Sequence, residues 1–137
     1  MRHTFLLALI AVSLIVAAGI PATAHHSFSA FDMANTKHIS GTVKQVDWTN
    51  PHIWIWVDVA NAKGGTDTFG FEGMSPNYLG RRGWTKSTLK TGDKITVSFR
   101  PMRDGSNGGM FVNGKMTSGK VLTMGGAGDG ERAAPQQ

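Results

Sequence analysis

Hydrophobic and polar residues alternate along five short stretches of the chain, which is the pattern of half-buried β-strands. The clearest stretch is 52–59, where isoleucine and valine alternate with polar or aromatic residues. The same alternation predicts four further strands: one that begins at His38, then 66–72, 94–99 and 110–123, the last continuous or divided by a hairpin at Asn113-Gly114. A chain with this pattern is expected to fold mainly as antiparallel sheet.

Turn-forming and capping residues separate the predicted strands. Asn50-Pro51 ends the first strand, because proline donates no backbone hydrogen bond to a ladder. Between the third and fourth strands, the segment 75–83 predicts a short helix. Ser75 suits the N-cap, Pro76 the first helical position, and Gly83 the left-handed residue beyond the end.

Three strands, a short helix and two further strands are the element order of an OB-type fold. We therefore expect an all-β domain with one short helix, folded as a small five-stranded OB-like barrel over residues 25–124. A small up-and-down barrel or a sandwich is the alternative. The position of the helix favours the OB-like barrel.

The two ends of the chain lack this alternation. Arg2 precedes an apolar run at 5–20, and Ala22-Thr23-Ala24 provides the small residues that signal peptidase reads. We predict that residues 1–24 are a signal peptide, with an uncleaved anchor as the alternative. The protein would then be periplasmic or secreted, without stable membrane insertion after cleavage. The segment 125–137 is rich in glycine, alanine, proline and glutamine, which predicts a disordered tail.

Composition narrows the classes of function. The 137 residues include 14 Lys and Arg against 9 Asp and Glu, a formal net charge of +5, and Arg2 belongs to the segment to be removed. The basic residues are scattered, so we interpret them as a solvated surface and expect no nucleic-acid partner. The chain has no cysteine, which excludes disulfides, thiolate metal sites and thiol nucleophiles.

Cleavage after Ala24 would place His25 at the amino terminus, with His26 next to it. The α-amine and imidazole of one residue chelate the same ion, and a further imidazole completes a nitrogen set that suits Cu(II) or Ni(II). His52, at the start of the second strand, is the candidate third imidazole, with Asp32 as an optional carboxylate. We predict a metal site of His25, His26 and His52, with copper ahead of zinc and nickel. The alternative is a solvated terminus, with His52 bonded to the backbone of its turn.

Methionine offers a second set of soft ligands. Met102 and Met110 flank the glycine-rich connection between the fourth and fifth strands, where they would face each other. Thioethers select Cu(I), but ordinary filling of the core is the favoured explanation for both residues.

Two tryptophans of the second strand are predicted to lie on the outer face of the barrel, because Trp54 and Trp56 alternate with inward-facing residues. The second and third strands form the usual ligand face of OB-type folds, where a sugar, a nucleobase or another ring would stack. Trp54, Trp56, Arg81 and Arg82 are the candidate ligand-binding residues. The alternatives are that the aromatic residues of segment 28–31 cover the tryptophans, and that the arginines complement the helix dipole.

Signatures of catalysis are few. The chain has no Gly-x-Ser-x-Gly elbow and no phosphate-binding loop, and its carboxylates lack the spacing of an acid–base pair. No catalytic residue is assigned, and the sequence favours a non-enzymatic metal-binding protein. The alternative is an accessory module that binds a protein or a small organic ligand on the tryptophan face. A third hypothesis is a copper or zinc enzyme that uses the same histidines with an open coordination position.

Several motifs in combination resemble one known family. They include His25-His26-Ser27-Phe28, Trp48-Thr49-Asn50-Pro51-His52, Phe71-Glu72-Gly73-x-Ser75-Pro76-Asn77 and Arg81-Arg82-Gly83-Trp84. The chain is similar to a group of small exported proteobacterial proteins that is defined only as a domain of unknown function. The resemblance implies a periplasmic OB-like barrel and carries no activity. It implies no role for the motif residues.

Overall fold

The structure is a computed structural model that describes residues 28–125. Within them, a 3-10 turn at Phe28–Ala30 precedes six strands and one α-helix: β1 (Lys37–Asp47), β2 (Trp54–Ala60), β3 (Thr66–Glu72), α1 (Pro76–Gly80), β4 (Lys94–Pro101), β5 (Gly108–Met116) and β6 (Val121–Thr123). The predicted signal peptide and all but the first residue of the predicted tail lie outside the described residues.

The strands close into a five-stranded barrel. β1 pairs antiparallel with β4 through its first half and with β2 through its second half. β2 pairs with β3 and β4 pairs with β5, also antiparallel. A parallel pairing of β3 with β5 joins the two sides, and β6 extends β5 as a hairpin. This is the strand order of an OB-type barrel, so the predicted fold class is confirmed.

Alternation along the strands produces the core. Ile53, Ile55, Val57, Phe71 and Val97 are completely buried, each from an inward-facing position. Burial of one such aliphatic or aromatic side chain contributes roughly 1.5–3 kcal/mol to folding. Because the inward positions are apolar, the alternate positions of the same strands face solvent and are available for binding.

The helix and the loop after it pack against the barrel. Ser75 accepts a hydrogen bond from the Tyr78 backbone N–H at 3.3 Å, and Pro76 begins the helix, as predicted. The helix ends at Gly80, earlier than predicted, and Gly83 takes the predicted left-handed conformation, with a φ of 85°, in the turn that follows. Among residues 28–125, no helix is long and apolar enough to cross a membrane.

The strands contain one bulge that the sequence did not predict, and one predicted alternative is wrong. β1 continues to Asp47, because a bulge between Val43 and Gln45 lets one bent strand pair with both of its neighbours. The predicted alternative of a hairpin at Asn113-Gly114 does not form, since β5 is continuous to Met116. Gly114 instead leaves space for the side chain of Ile95, because a Cβ at position 114 would lie 2.6 Å from it.

Barrel closure depends on two glycines. A Cβ on Gly108 would lie 2.0 Å from the carbonyl oxygen of Gly70, and its φ of 137° is one that L side chains rarely adopt. We expect Gly108→Ala to lower the free energy of unfolding by at least about 2 kcal/mol in urea denaturation. Gly80→Ala is the matched control, because a Cβ there has open space and alanine favours helix. Equal stability of the two variants would contradict this account of closure.

Candidate functional site

The outer face of β2 and β3 carries most of the chemistry that the sequence suggested. Trp54 lies opposite Glu72, and Trp56 lies opposite Gly70, in the antiparallel register of these strands. Trp54 and Trp56 point outward, because Ile53, Ile55 and Val57 beside them in sequence are buried. The structure therefore places both tryptophans on the predicted face.

The two tryptophans form a fixed, half-buried pair. Their ring centroids are 5.6 Å apart with an interplanar angle of 18°. Trp56 donates from Nε1 to a carboxylate oxygen of Asp47 at 2.7 Å, which ties the ring to β1. On the other side, the ring lies over Gly70, where a Cβ would come within 2.6 Å of it. Trp56 is thus held by both neighbouring strands and orients Trp54.

The segment before β1 docks away from this pair. Phe31 is buried and bridges to Met102, just after β4, and the backbone N–H of Asp32 donates to Pro101 at 2.8 Å. Arg103 donates from Nε to the carbonyl oxygen of Phe31 at 2.9 Å. The alternative that segment 28–31 covers the tryptophans is therefore wrong, since this segment lies along β4 and the β4–β5 loop.

His52 and Glu72 form a side-chain pair at the end of this face. His52 lies in the β1–β2 loop, and its Nδ1 is in hydrogen-bonding contact with a carboxylate oxygen of Glu72. The side chains are 35% and 16% exposed, so the imidazole is the more accessible partner. The loop is fixed beside them, because Ile53 is buried and its N–H donates to Met74 at 3.1 Å. The His52 side chain thus contacts Glu72 on β3, whereas the alternative was a bond to the backbone of its own turn.

This contact determines which imidazole nitrogen is available. An ionised carboxylate only accepts hydrogen bonds, so Nδ1 of His52 must donate its N–H to Glu72. In the neutral ring, Nε2 then carries the free lone pair. Metal-ligating histidines commonly donate their other N–H to a carboxylate, which fixes the ring and raises its basicity. The pair therefore presents an oriented nitrogen donor.

A thioether lies one strand away from this pair. Met110 on β5 is the parallel register partner of Glu72, which has Trp54 on its other side. Adjacent strands are about 4.8 Å apart, so the outward-facing Met110 borders the same corner of the barrel. Among the described residues, no group of three His, Cys, Asp or Glu side chains could hold a metal ion.

The other predicted site residues lie elsewhere. His25 and His26 lie outside the described residues. Asp32 accepts hydrogen bonds from the Asn35 side chain at 2.6 Å and the Ala34 backbone at 3.1 Å. The Asn35 amide lowers the pKa of Asp32 most, followed by the Ala34 N–H. Asp32 therefore stabilises the turn before β1.

The two candidate arginines lie at the end of α1. Arg82 is placed over the Tyr78 ring, 4.6 Å from its centroid, and packs against Gly125. Tyr78 donates from its hydroxyl to the carbonyl oxygen of Gly125. These contacts give Arg82 a packing role that attaches the segment after β6 to the helix. Arg81 is exposed and follows the last helical residue.

The fold and this face define a small OB-type barrel that carries a carboxylate-oriented histidine beside a tryptophan pair. The chain belongs to a family of unknown function, DUF6152, whose family model matches residues 12–113. The resemblance to an uncharacterised family is thereby confirmed. No curated protein and no solved structure matches the chain.

The tautomer of His52 tests the pair directly. In the neutral ring, we expect proton–nitrogen correlation NMR to show the hydrogen on Nδ1 and the lone pair on Nε2. Glu72→Leu removes the acceptor and should shift the proton toward Nε2, whereas Glu72→Gln retains an acceptor oxygen and should preserve the wild-type tautomer. A wild-type His52 protonated at Nε2 would contradict the assigned contact.

Proposed function

We propose that the protein is an exported, non-enzymatic metal-binding protein that holds copper at His52 together with the terminal histidines His25 and His26. The observation that supports this best is the orientation of His52. Its Nδ1–H is held by Glu72, so Nε2 is presented as a ligand at the edge of the exposed face. Imidazole nitrogen is a preferred ligand of copper.

The amino terminus would supply the remaining nitrogen donors. Removal of residues 1–24 frees the α-amine of His25, and amine and ring chelate one ion, with His26 adjacent. The thioether of Met110 lies at the same corner of the barrel as His52, which would also accommodate Cu(I). The proposed site thus combines a fixed ligand on the barrel with a chelate on the chain end.

A site shared with His52 would require the chain to run from segment 28–30 to the outer face of β2. This segment is attached to the β4–β5 loop, where the Ala30 carbonyl oxygen accepts a hydrogen bond from the Arg103 N–H at 2.9 Å. We therefore expect copper binding to disturb this attachment.

Copper titration of the processed protein that begins at His25 tests the proposal. We expect isothermal titration calorimetry to give a Kd below about 1 μM, equivalent to about −8 kcal/mol. His52→Ala removes an imidazole, and an added residue before His25 converts the α-amine of His25 into a peptide amide. Each change should therefore weaken binding at least about tenfold. His38→Ala is the matched control, because its imidazole contacts Ser98 at 2.9 Å between β1 and β4.

The same samples report on segment 28–30, which precedes β1. Binding at the shared site should move the amide NMR signals of Ala30 and Arg103, which share the backbone hydrogen bond of 2.9 Å that attaches this segment to the β4–β5 loop. Binding weaker than about 1 μM, or affinity unchanged in His52→Ala, would contradict the proposal.

A second candidate function rests on the tryptophan pair. Trp56 is fixed by Asp47 and Gly70, so the half-buried Trp54 ring beside it is ordered for stacking on a ring-bearing small ligand or a partner protein. This function is favoured if tryptophan fluorescence responds to such a ligand and not to metals, and if the response is lost in Trp54→Ala.

A further inference from the structure

A groove crosses the barrel at the opposite end of β2 from His52. It has a volume of about 800 Å³ and is lined by residues of β1, β4 and β5, including the buried Ile95, and by the ends of β2 and β3. Small-molecule sites commonly have volumes of about 300–1,000 Å³, so the groove has room for a ligand of one or two rings. Its chemistry differs from that of the tryptophan face.

Hydroxyl side chains dominate the polar lining of this groove. Five of them come from three different strands and the β5–β6 turn: Ser40, Thr42, Thr66, Thr96 and Thr117. The hydroxyls of Ser40 and Thr96 are bonded to each other at 2.8 Å across β1 and β4. Each hydroxyl donates one hydrogen bond and accepts others, which matches the hydroxyls of a sugar.

Two lysines add positive charge to the same surface. Lys94 donates from Nζ to the Thr42 hydroxyl at 2.7 Å, which holds the ammonium group at the groove. Lys115 lies on the neighbouring strand, opposite Thr96. An ammonium group binds carboxylate and phosphate as a point charge with three donors, so both lysines are available for one anionic ligand.

The one carboxylate among the lining residues is already compensated. Asp58 accepts a hydrogen bond from the Thr68 hydroxyl at 2.6 Å and lies 3.6 Å from Nζ of Lys44. Lys44 itself is not among the lining residues. The groove therefore keeps the charge of Lys94 and Lys115, which favours an anion over a cation.

We propose that this groove binds a sugar that carries an anionic group, either a sugar acid or a sugar phosphate. The hydroxyl side chains would bond to the ring hydroxyls, and Lys94 and Lys115 would neutralise the carboxylate or phosphate. The lining residues include no aromatic side chain, so the groove lacks the stacking surface that single-stranded nucleic acid requires. The inference is independent of copper, since the groove shares no residue with the His52 corner.

NMR titration of the metal-free protein with D-glucuronate and with glucose 6-phosphate tests the proposal at low ionic strength. We expect the amide signals of Thr96 and Lys115 to move with a Kd of about 1 mM or tighter for at least one of the two. A response to glucuronate alone identifies a sugar acid, and a response to glucose 6-phosphate alone identifies a sugar phosphate. Uncharged glucose should bind at least about tenfold more weakly.

Matched lysine variants locate the binding. Lys94→Gln and Lys115→Gln should each weaken the tighter ligand at least about fivefold. Lys120→Gln should leave its affinity unchanged, because Lys120 is exposed in the β5–β6 turn and is not among the lining residues. The proposal is overturned if neither sugar anion moves these signals, or if glucose or inorganic phosphate binds as tightly. Equal weakening by Lys120→Gln would overturn it as well.

Discussion

The parallel contact between β3 and β5 is the constraint on which the other features of this barrel depend. It brings Gly108 so close to the carbonyl oxygen of Gly70 that position 108 leaves no room for a side chain. The same contact places Glu72 between Trp54 and Met110 on the outer face. It also leaves the surface over Gly70 open for the Trp56 ring. The candidate site is therefore assembled by the closure of the barrel itself.

The position of His52 follows from core packing in the loop that precedes β2. Ile53 is completely buried, and its backbone bonds to Gly73 and Met74 fasten the loop to the end of β3. Alternation then directs the His52 side chain outward, to the carboxylate of Glu72. An imidazole held in this way loses little freedom on binding a metal, which is the general advantage of preorganised ligands.

The fold was predictable because its signals are local. The signals are the alternating residues, the helix start at Ser75 and Pro76, and the glycine turns. Each acts within a few positions, and together they specify the element order of the barrel. The alternative turn at Asn113-Gly114 does not form, because Gly114 makes room for Ile95. This is a contact between strands that no local pattern reveals. The bulge in β1 was missed for the same reason, since it arises from pairing with two neighbours.

The candidate site was predictable only in part. His52, Trp54 and Trp56 stood out by residue type and by their place in the strand pattern. Glu72, the partner that orients His52, is twenty residues away in sequence, and its only signal was a place in a shared motif. The docking of Phe31 beside Met102 depends on tertiary packing alone, and it rules out the alternative that segment 28–31 covers the tryptophans.

The barrel thus presents two surfaces of different chemistry along β2. One end has an oriented imidazole, a carboxylate, a thioether and two tryptophans, and the other has hydroxyls and ammonium groups. Soft and nitrogen ligands favour copper, whereas hydroxyls and lysines favour an oxygen-rich anion. The two proposed ligands would therefore occupy opposite ends of β2 and would not compete.

In the proposed copper site, Nε2 of His52 is the ligand that the barrel contributes. Nitrogen NMR of the histidine rings tests this in the processed protein, titrated without oxygen with Cu(I), which is diamagnetic. We expect the Nε2 resonance of His52 to shift on binding while Nδ1 keeps its proton toward Glu72. An unchanged Nε2 resonance at full occupancy, or loss of the Nδ1 proton, would contradict it.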